Sequence, residues 1–369
     1  MKKVLFLIPC LGGGGAERVL VNLANNLDKA KYKVTVQTIF DLGVNREYLS
    51  KEVEYVGGFK RRFKGNTKIF QLFSPKFLYK KIIKKRYDIV VAYLEGVTPR
   101  IVSGCPYADS KLVAWIHVEQ NNLKTAKRAF RSKKEMNACY NKFSQIVCVA
   151  ETVKKDFESL IDLKNPAIVL YNTNETDEIR EKAKESLGDF SFSNDINLIS
   201  VGRLINEKGY DRLINIHSRL LKEGVKHNLY FLGAGGLEEQ LKNQTKELGV
   251  EETVHFLGFE KNPYKYVANA DLFVCSSRRE GFSTAVTESL VVGTPVVSTN
   301  CSGSIELLGD NNEYGIVVGQ SEDELFSAIK ELLLDGEKLA NYKKKAKERG
   351  YAFSKEKTVK AVEKLLDNL

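Results

Sequence analysis

The sequence predicts an α/β protein made of two Rossmann-like domains in tandem, facing each other across a cleft. Three observations carry this. A length of 369 residues exceeds one ordinary core and suits two. Short apolar runs alternate with amphipathic helical patterns, which implies parallel strands joined by right-handed crossovers. A polar stretch, "YNTNETDEIREKAKES" over 171–186, interrupts the rhythm once, and the alternation then restarts.

The elements follow in order. The opening "MKKVLFLIPCLGGGG" imitates a secretory signal, with two lysines before an apolar run. That run is short, lacks a small-residue cleavage site and feeds a glycine turn, so it reads as a first strand over 4–8 with a helix over 16–26. Further strands are expected over 34–38, 89–93, 112–116, 146–149 and 168–171, with a helix over 152–160. The polar stretch marks a hinge, with closure about 172–176. In the second half, strands are expected over 196–201, 228–232, 253–256, 272–275, 296–299 and 315–318. Long amphipathic helices over 322–334 and 354–366 close the chain. The first domain is placed at 1–172 and the second at 173–353, with the last helix, 354–369, returning to complete the first. Ligands of open parallel sheets sit at the carboxyl ends of the strands, so the turns there carry the chemistry.

Composition narrows the classes. A 43% hydrophobic and 28% charged chain is globular, and no apolar run approaches the roughly 18 residues of a spanning helix. The six cysteines and four histidines are dispersed. No C-x-x-C pair exists, which argues for reduced thiols and against a metal centre. Residues 1–170 carry 31 Lys and Arg against 15 Asp and Glu, and the remainder 26 against 32. The excess lies in "FKRRFKGNTK" (59–68), "KFLYKKIIKKRYD" (76–88) and "KTAKRAFRSKK" (124–134), two of which interleave cations with apolar residues at helical spacing. Such segments suit an anionic membrane surface or a solvated helix face. No nucleic-acid motif accompanies them, and nucleic acid is not expected as a partner.

Five turns are candidates. "LGGGGAER" (11–18) places Gly14 and Gly15 between the first strand and a helix, where backbone amides can approach an anion. It does not meet the dinucleotide pattern G-x-G-x-x-G. In "VGRLINEKGYDRLI" (201–214), Arg203 and Lys208 share one connection and suit a diphosphate, as a fork and a point charge. "FLGAGGLEEQL" (231–241) contributes Gly235. After "HFLG" (255–258), Phe259 could stack on a base. In "REGFSTAVTESL" (279–290), Ser283 or Thr284 reads as a helix N-cap. Glu280 precedes that helix beside Gly281 and Phe282, placed to meet sugar hydroxyls. Glu288 lies within it, placed to meet ribose hydroxyls.

Together these residues resemble glycosyltransferase family four, retaining enzymes of the GT-B fold, and in particular its bacterial polysaccharide-assembly members. The resemblance rests on Gly-Gly-Ala-Glu-Arg at 14–18, Gly-Arg-x4-Lys-Gly at 202–209, Gly-x-Gly at 233–235 and the two glutamates eight apart. "WIHVE" (115–119) is similar to the family's acceptor-facing histidine loop and brings in His117 and Glu119. One departure is "SGSIE" (302–306), where members often carry a proline. The resemblance implies a nucleotide-sugar donor, UDP-linked in many such relatives, and transfer of a hexose or N-acetylhexosamine in cell-surface polysaccharide synthesis. Arg203 and Lys208 would hold the diphosphate, Glu288 the ribose and Glu280 the moving sugar, with His117 near sugar and acceptor. The acceptor would be a glycan or a polyprenyl-diphosphate-linked saccharide. The enzyme would work in the cytoplasm, peripherally on the inner face of the cell membrane. No D-x-D motif stands where a metal-dependent transferase would need it, so neither metal nor cofactor is expected. The rival readings are a non-catalytic binding subunit of the same fold, an epimerase or phosphorylase, and a dehydrogenase.

Overall fold

A computed structural model describes residues 1–63 and 65–369; Lys64, inside the basic segment 59–68, lies outside the described residues. The chain divides into two compact units. Unit 1 is Met1–Asn174 with Lys355–Leu369, and unit 2 is Glu175–Ser354.

Unit 1 holds a parallel sheet of β1 (Lys2–Ile8), β2 (Tyr32–Thr38), β3 (Glu54–Val56), β4 (Ile89–Tyr93), β5 (Lys111–Ile116), β6 (Gln145–Cys148) and β7 (Ile168–Val169), in the order β3-β2-β1-β4-β5-β6-β7. Unit 2 holds β8 (Ile196–Val201), β9 (His227–Leu232), β10 (Val254–Gly258), β11 (Leu272–Cys275), β12 (Val296–Thr299) and β13 (Ile316–Val318), in the order β10-β9-β8-β11-β12-β13. Each sheet is therefore doubly wound. The winding reverses between β1 and β4 in one and between β8 and β11 in the other, which opens a crevice at the carboxyl ends of those pairs. Central strands such as β1 and β4 are apolar on both faces and buried almost throughout, as parallel strands covered by helices must be.

Three local readings are revised. β3, at a sheet edge, has three residues and too short an alternation to be read. The polar stretch 171–186 is not all linker, because Thr176–Ala183 is a helix that buries Thr176 and Ile179. Helical spacing in the basic segments holds only in part. Residues 59–63 are irregular, since Phe59 bridges to Phe40, and Gly65, at φ 73°, starts the Asn66–Leu72 helix. Pro75–Ile82 is helical, capped by Ser74, whose hydroxyl accepts from Phe77 N–H.

The closing helix, Lys355–Asn368, belongs to unit 1 through specific bonds. Lys2 Nζ donates to Leu366 O at 2.7 Å, Asp28 N–H to Glu363 at 2.8 Å, and Lys31 pairs with Asp367 at 3.2 Å.

Unit 2 buries a histidine chain at the start of β9. His227 Nδ1 lies 2.9 Å from Val225 O, which only accepts, so Nδ1 carries the proton. His227 Nε2 then accepts from His217 Nδ1 at 2.8 Å, and His217 Nε2 lies 2.9 Å from the Thr253 hydroxyl, which is also 3.2 Å from Val250 O. The 2.8 Å contact between the two rings holds one proton, so they cannot both be charged. Burial pushes both rings down, His217 to about 3. The unfolded rings titrate near 6.5, so below that pH the unfolded chain takes up protons that the folded unit refuses. The stability of unit 2 should be full above about pH 6.5 and fall as pH drops, by about 1.4 kcal/mol per pH unit for each histidine. Urea midpoints from far-UV circular dichroism at pH 7.5 and 5.0 test this, with His217→Gln expected to flatten the slope. Equal midpoints in the parent protein at the two pH values would refute it.

Candidate active site

The carboxyl ends of β8 and β11 meet at the unit 2 crevice, and their connections are locked together. After β8 the chain runs through Gly202 and exposed Arg203 into the short Asn206–Lys208 helix, then Gly209 and the Tyr210–Lys222 helix. Gly209 sits at φ 65°, and a Cβ there would lie 2.3 Å from Ser276 O, so only glycine allows this approach. After β11, Ser276 Oγ donates to Lys208 O at 2.9 Å. Buried Arg212 donates to Ser276 O and Gln320 O. Arg278 takes Asp211 in a fork at 2.8 and 2.7 Å and donates to Asn206 O at 2.9 Å.

This clamp brings Lys208 Nζ to 2.5 Å from Glu280 Oε1, with both side chains largely buried. Ser277 Oγ donates to the same carboxylate oxygen at 2.7 Å. Ser277 is held in turn by Thr299 Oγ1, which donates to Ser277 O at 2.6 Å. Burial works against the Lys208 ammonium, but the Glu280 carboxylate outweighs it, and the lysine pKa lies above its ordinary value. Exposed Arg203 makes no ion pair among the described residues. The crevice thus presents one open cation beside a cation already neutralised by a carboxylate.

Next along, Ser283 caps the Thr284–Val292 helix, accepting from Val286 N–H. Glu288 stands on that helix, half-buried. Phe282 faces inward: it is 5% exposed, packs edge-on against Phe353 at 5.9 Å and leaves room only for glycine at 303. Any ligand contact at 282 is therefore through the backbone, and Gly281 is likewise buried. In the 302–306 turn, Gly303 takes φ 76° and caps the short Ser304–Leu308 helix.

The glycines after β9 serve loop packing. A Cβ at Gly235 would lie 2.4 Å from Leu204 O, while Leu204 N–H donates to Ala234 O at 3.1 Å. Gly235 therefore shapes the loop carrying Arg203. Phe259, just past β10, is 75% exposed at the same edge of the sheet.

In unit 1 the corresponding crevice lies between β1 and β4. Gly14 caps the Gly15–Asn26 helix, and a Cβ on Gly14 would strike the Glu17 carboxylate. Arg18 lies over the Tyr48 ring at 4.0 Å. After β4 the backbone is strained, with Leu94 at φ 74° and Gly96 at φ 93°. Between them, Glu95 accepts from His117 N–H at 3.0 Å. The His117 ring, 4% exposed, packs on Tyr93 at 4.5 Å and has a buried Nε2 with no hydrogen bond. Burial pushes its pKa down to about 3, so the ring is neutral. Glu119 follows in the same loop, half-buried, and Asp156 holds that loop by accepting from Gln120 and Asn121 N–H.

The structure thus gathers Arg203, Lys208, Glu280, Ser283 and Glu288 at one edge of the unit 2 sheet, and Gly14, Gly15, His117 and Glu119 at one edge of the unit 1 sheet. The positioning residues Arg212, Ser277, Arg278, Thr299 and Glu95 are absent from the sequence reading. Nothing in a single sequence distinguishes Arg278 from Arg279 beside it.

Comparisons with known proteins bear on this arrangement. Residues 13–178 match the family model for Glycosyltransferase Family 4, and residues 181–349 match that for Glycosyl transferases group 1. A Campylobacter jejuni protein, N-acetylgalactosamine-N,N'-diacetylbacillosaminyl-diphospho-undecaprenol 4-alpha-N-acetylgalactosaminyltransferase, is 31% identical, covering 99% of this chain and 100% of its own. The amylovoran biosynthesis glycosyltransferase AmsD of Erwinia amylovora is 26% identical over 92% of both chains. Among solved structures, Anabaena HepE in complex with UDP and glucose superposes with a TM-score of 0.80 at 20% identity over the whole of both chains. Sucrose-phosphate synthase from Thermosynechococcus elongatus gives 0.79 at 15% identity, over all of this chain and 99% of its own. The structural likenesses show the GT-B fold, and with the family models and the 31% identical relative they establish that the chain belongs to glycosyltransferase family 4, among the enzymes of bacterial glycan synthesis.

Proposed function

We propose that the protein is a retaining, metal-independent glycosyltransferase that moves a hexose or N-acetylhexosamine from a UDP-sugar to a polyprenyl-diphosphate-linked saccharide at the inner face of the cell membrane. The observation that carries this reading is the Lys208–Glu280 pair beside Arg203 at the β8/β11 crevice. A cation for a diphosphate and a carboxylate for a sugar lie next to each other, as a nucleotide-sugar requires. The printed names of the relatives support the donor and acceptor classes: HepE was solved with UDP and glucose, and the Campylobacter jejuni enzyme acts on a diphospho-undecaprenol substrate.

Cleavage at the anomeric carbon leaves charge on the departing diphosphate. Arg203 and Lys208 would meet that charge where it develops, together with the amides that open the Thr284–Val292 helix. Glu288 would hold the ribose hydroxyls and exposed Phe259 the base. Glu280 would orient the sugar. Neutral His117, whose buried Nε2 has no hydrogen-bond partner among the described residues, would hydrogen-bond the sugar near the acceptor, and Glu119 the acceptor itself. Gly14 and Gly15 leave the backbone free to approach the donor. The acceptor hydroxyl would attack from the leaving-group face and pass its proton to the departing phosphate.

A thermal-shift screen with UDP, GDP, ADP and nicotinamide dinucleotides tests the reading. UDP at 100 times its dissociation constant should add about 2.7 kcal/mol of stability, unchanged by EDTA and reduced in Glu288→Ala. A response confined to nicotinamide dinucleotides, or abolished by EDTA, would overturn it, and proton NMR of the product reads the anomeric configuration directly.

A further inference from the structure

The surface of unit 1 carries an apolar corner whose support is out of proportion to any packing role. The Asn66–Leu72 helix ends at Phe73, and the Pro75–Ile82 helix starts two residues later. Leu72 is 75% exposed, and Ile69, Phe73 and Phe77 are about 40% exposed. Ile69, Leu72 and Phe73 lie three and four apart, on one helical face. The rings of Phe73 and Phe77 stack at 5.0 Å, in the open. Among the described residues, few other stretches expose so many large hydrophobics together, and such a patch on a monomer marks a contact surface.

The corner is rigid. Arg100 has no exposed surface, and its guanidinium donates to Phe70 O at 2.7 Å and Phe73 O at 2.8 Å, and to Glu135 at 2.9 Å. Arg131 adds bonds to Gln71 O and Leu72 O. Two arginines thus tie down the last carbonyls of a seven-residue helix whose apolar face points outward. A buried guanidinium is costly to keep, and here it fixes the backbone from which Leu72 and Phe73 project.

The flanks are cationic. From 55 to 87 the sequence has eleven Lys and Arg and no Asp or Glu, and from 120 to 134 it has six and none. Lys68, Lys76, Lys80, Lys124, Lys127 and Arg128 are exposed. The second run lies against the first, because Gln71 Nε2 donates to Arg128 O and Phe130 O. Cations around an apolar tip match a bilayer of acidic lipid, with headgroup phosphates at the rim and acyl chains at the centre.

We propose that the corner over 69–77 inserts into the interfacial layer of an anionic bilayer, with Lys68, Lys76, Lys80, Lys124, Lys127 and Arg128 seated on its headgroups. This rests on the acceptor being lipid-linked. It goes beyond basic attraction by assigning insertion to four named apolar residues and their orientation to Arg100.

The test uses the full chain and vesicles of phosphatidylcholine with or without 40% phosphatidylglycerol. Wild type should co-sediment with the anionic vesicles and not the neutral ones. Leu72→Ser/Phe77→Ser should lower the partition coefficient about tenfold or more, while its response to UDP stays unchanged, which shows that the variant is folded. Leu72→Trp should shift its emission to the blue on anionic vesicles and be quenched by brominated acyl chains, which do not reach buried Trp115. Equal partition of the serine variant, or no quenching at position 72, would overturn insertion and leave charge attraction alone. Binding to single-stranded DNA in place of vesicles would overturn the membrane assignment. Transfer to a water-soluble acceptor analogue, measured in parallel, separates either failure from failure of the transferase reading.

Discussion

Lys208→Ala should lower kcat/KM for sugar transfer by about 10²–10³-fold, the usual effect of removing one preorganised donor to developing charge. The ammonium is already fixed, 2.5 Å from Glu280 and largely out of water, so it needs no reorganisation when the diphosphate departs. Its neighbour gives the opposite pattern. Glu280→Gln removes the charge that now neutralises Lys208, so UDP alone should bind more tightly, by several-fold. Transfer should nevertheless fall by at least about tenfold, because the sugar loses its carboxylate contact. Tighter nucleotide binding with slower turnover is a signature that plain structural damage does not produce, since damage weakens both. Isothermal titration with UDP and initial rates on the two variants measure it. If Lys208→Ala stays within threefold of wild type, or Glu280→Gln binds UDP more weakly, the assignment of these two residues fails.

The same pair shows what a sequence displays and what it withholds. Strands β4, β8, β11 and β12 occupy the spans their apolar runs mark out. β4 and β11 are continuous buried apolar runs, as parallel strands covered on both faces are, while β8 and β12 keep buried polar residues such as Ser200 and Ser298, whose hydroxyls are hydrogen-bonded to backbone carbonyls. Arg203, Lys208, Glu280 and Glu288 are legible because each sits at a fixed offset from a glycine turn or a helix cap. Their mutual contact is not. Lys208 and Glu280 are 72 positions apart, and only the winding order of the sheet makes their connections neighbours. The clamp around them is less visible still. Arg278 and Asp211 are ordinary surface charges in the sequence and become a fork only when β8 and β11 lie side by side. Ser277 is one serine among several, and its bond to Glu280 depends on a backbone held by Thr299. Phe282 shows the converse limit. Its place in the motif suggests a ligand contact, whereas its side chain fills the core against Phe353.

Glu135→Ala should destabilise unit 1 by about 3 kcal/mol, more than any exposed charge removal in the chain. Burial works to raise the Glu135 carboxyl, but the bonds and charges of Arg100 and Arg131 together outweigh it, holding the pKa below the ordinary glutamate range. Removing Glu135 leaves the Arg100 charge buried with carbonyl partners only, and also frees Arg131 N–H, which donates to the same carboxylate at 2.6 Å. Arg100→Met removes the charge but strands the Phe70 and Phe73 carbonyls, so it should cost a similar amount. Because the two side chains act on each other, the double variant Arg100→Met/Glu135→Ala should cost clearly less than the two single losses added together. Trp115 is the protein's single tryptophan and lies buried in β5, so its emission follows unit 1. Urea unfolding read at Trp115 should therefore move to lower midpoint in both single variants. The histidine chain of unit 2 lies elsewhere, so the effect should persist at pH 7.5, where His217 and His227 are neutral whether folded or not. Strict additivity in the double variant, or a Glu135→Ala midpoint equal to wild type, would show that the corner is held by packing alone and that the buried guanidinium does not govern it.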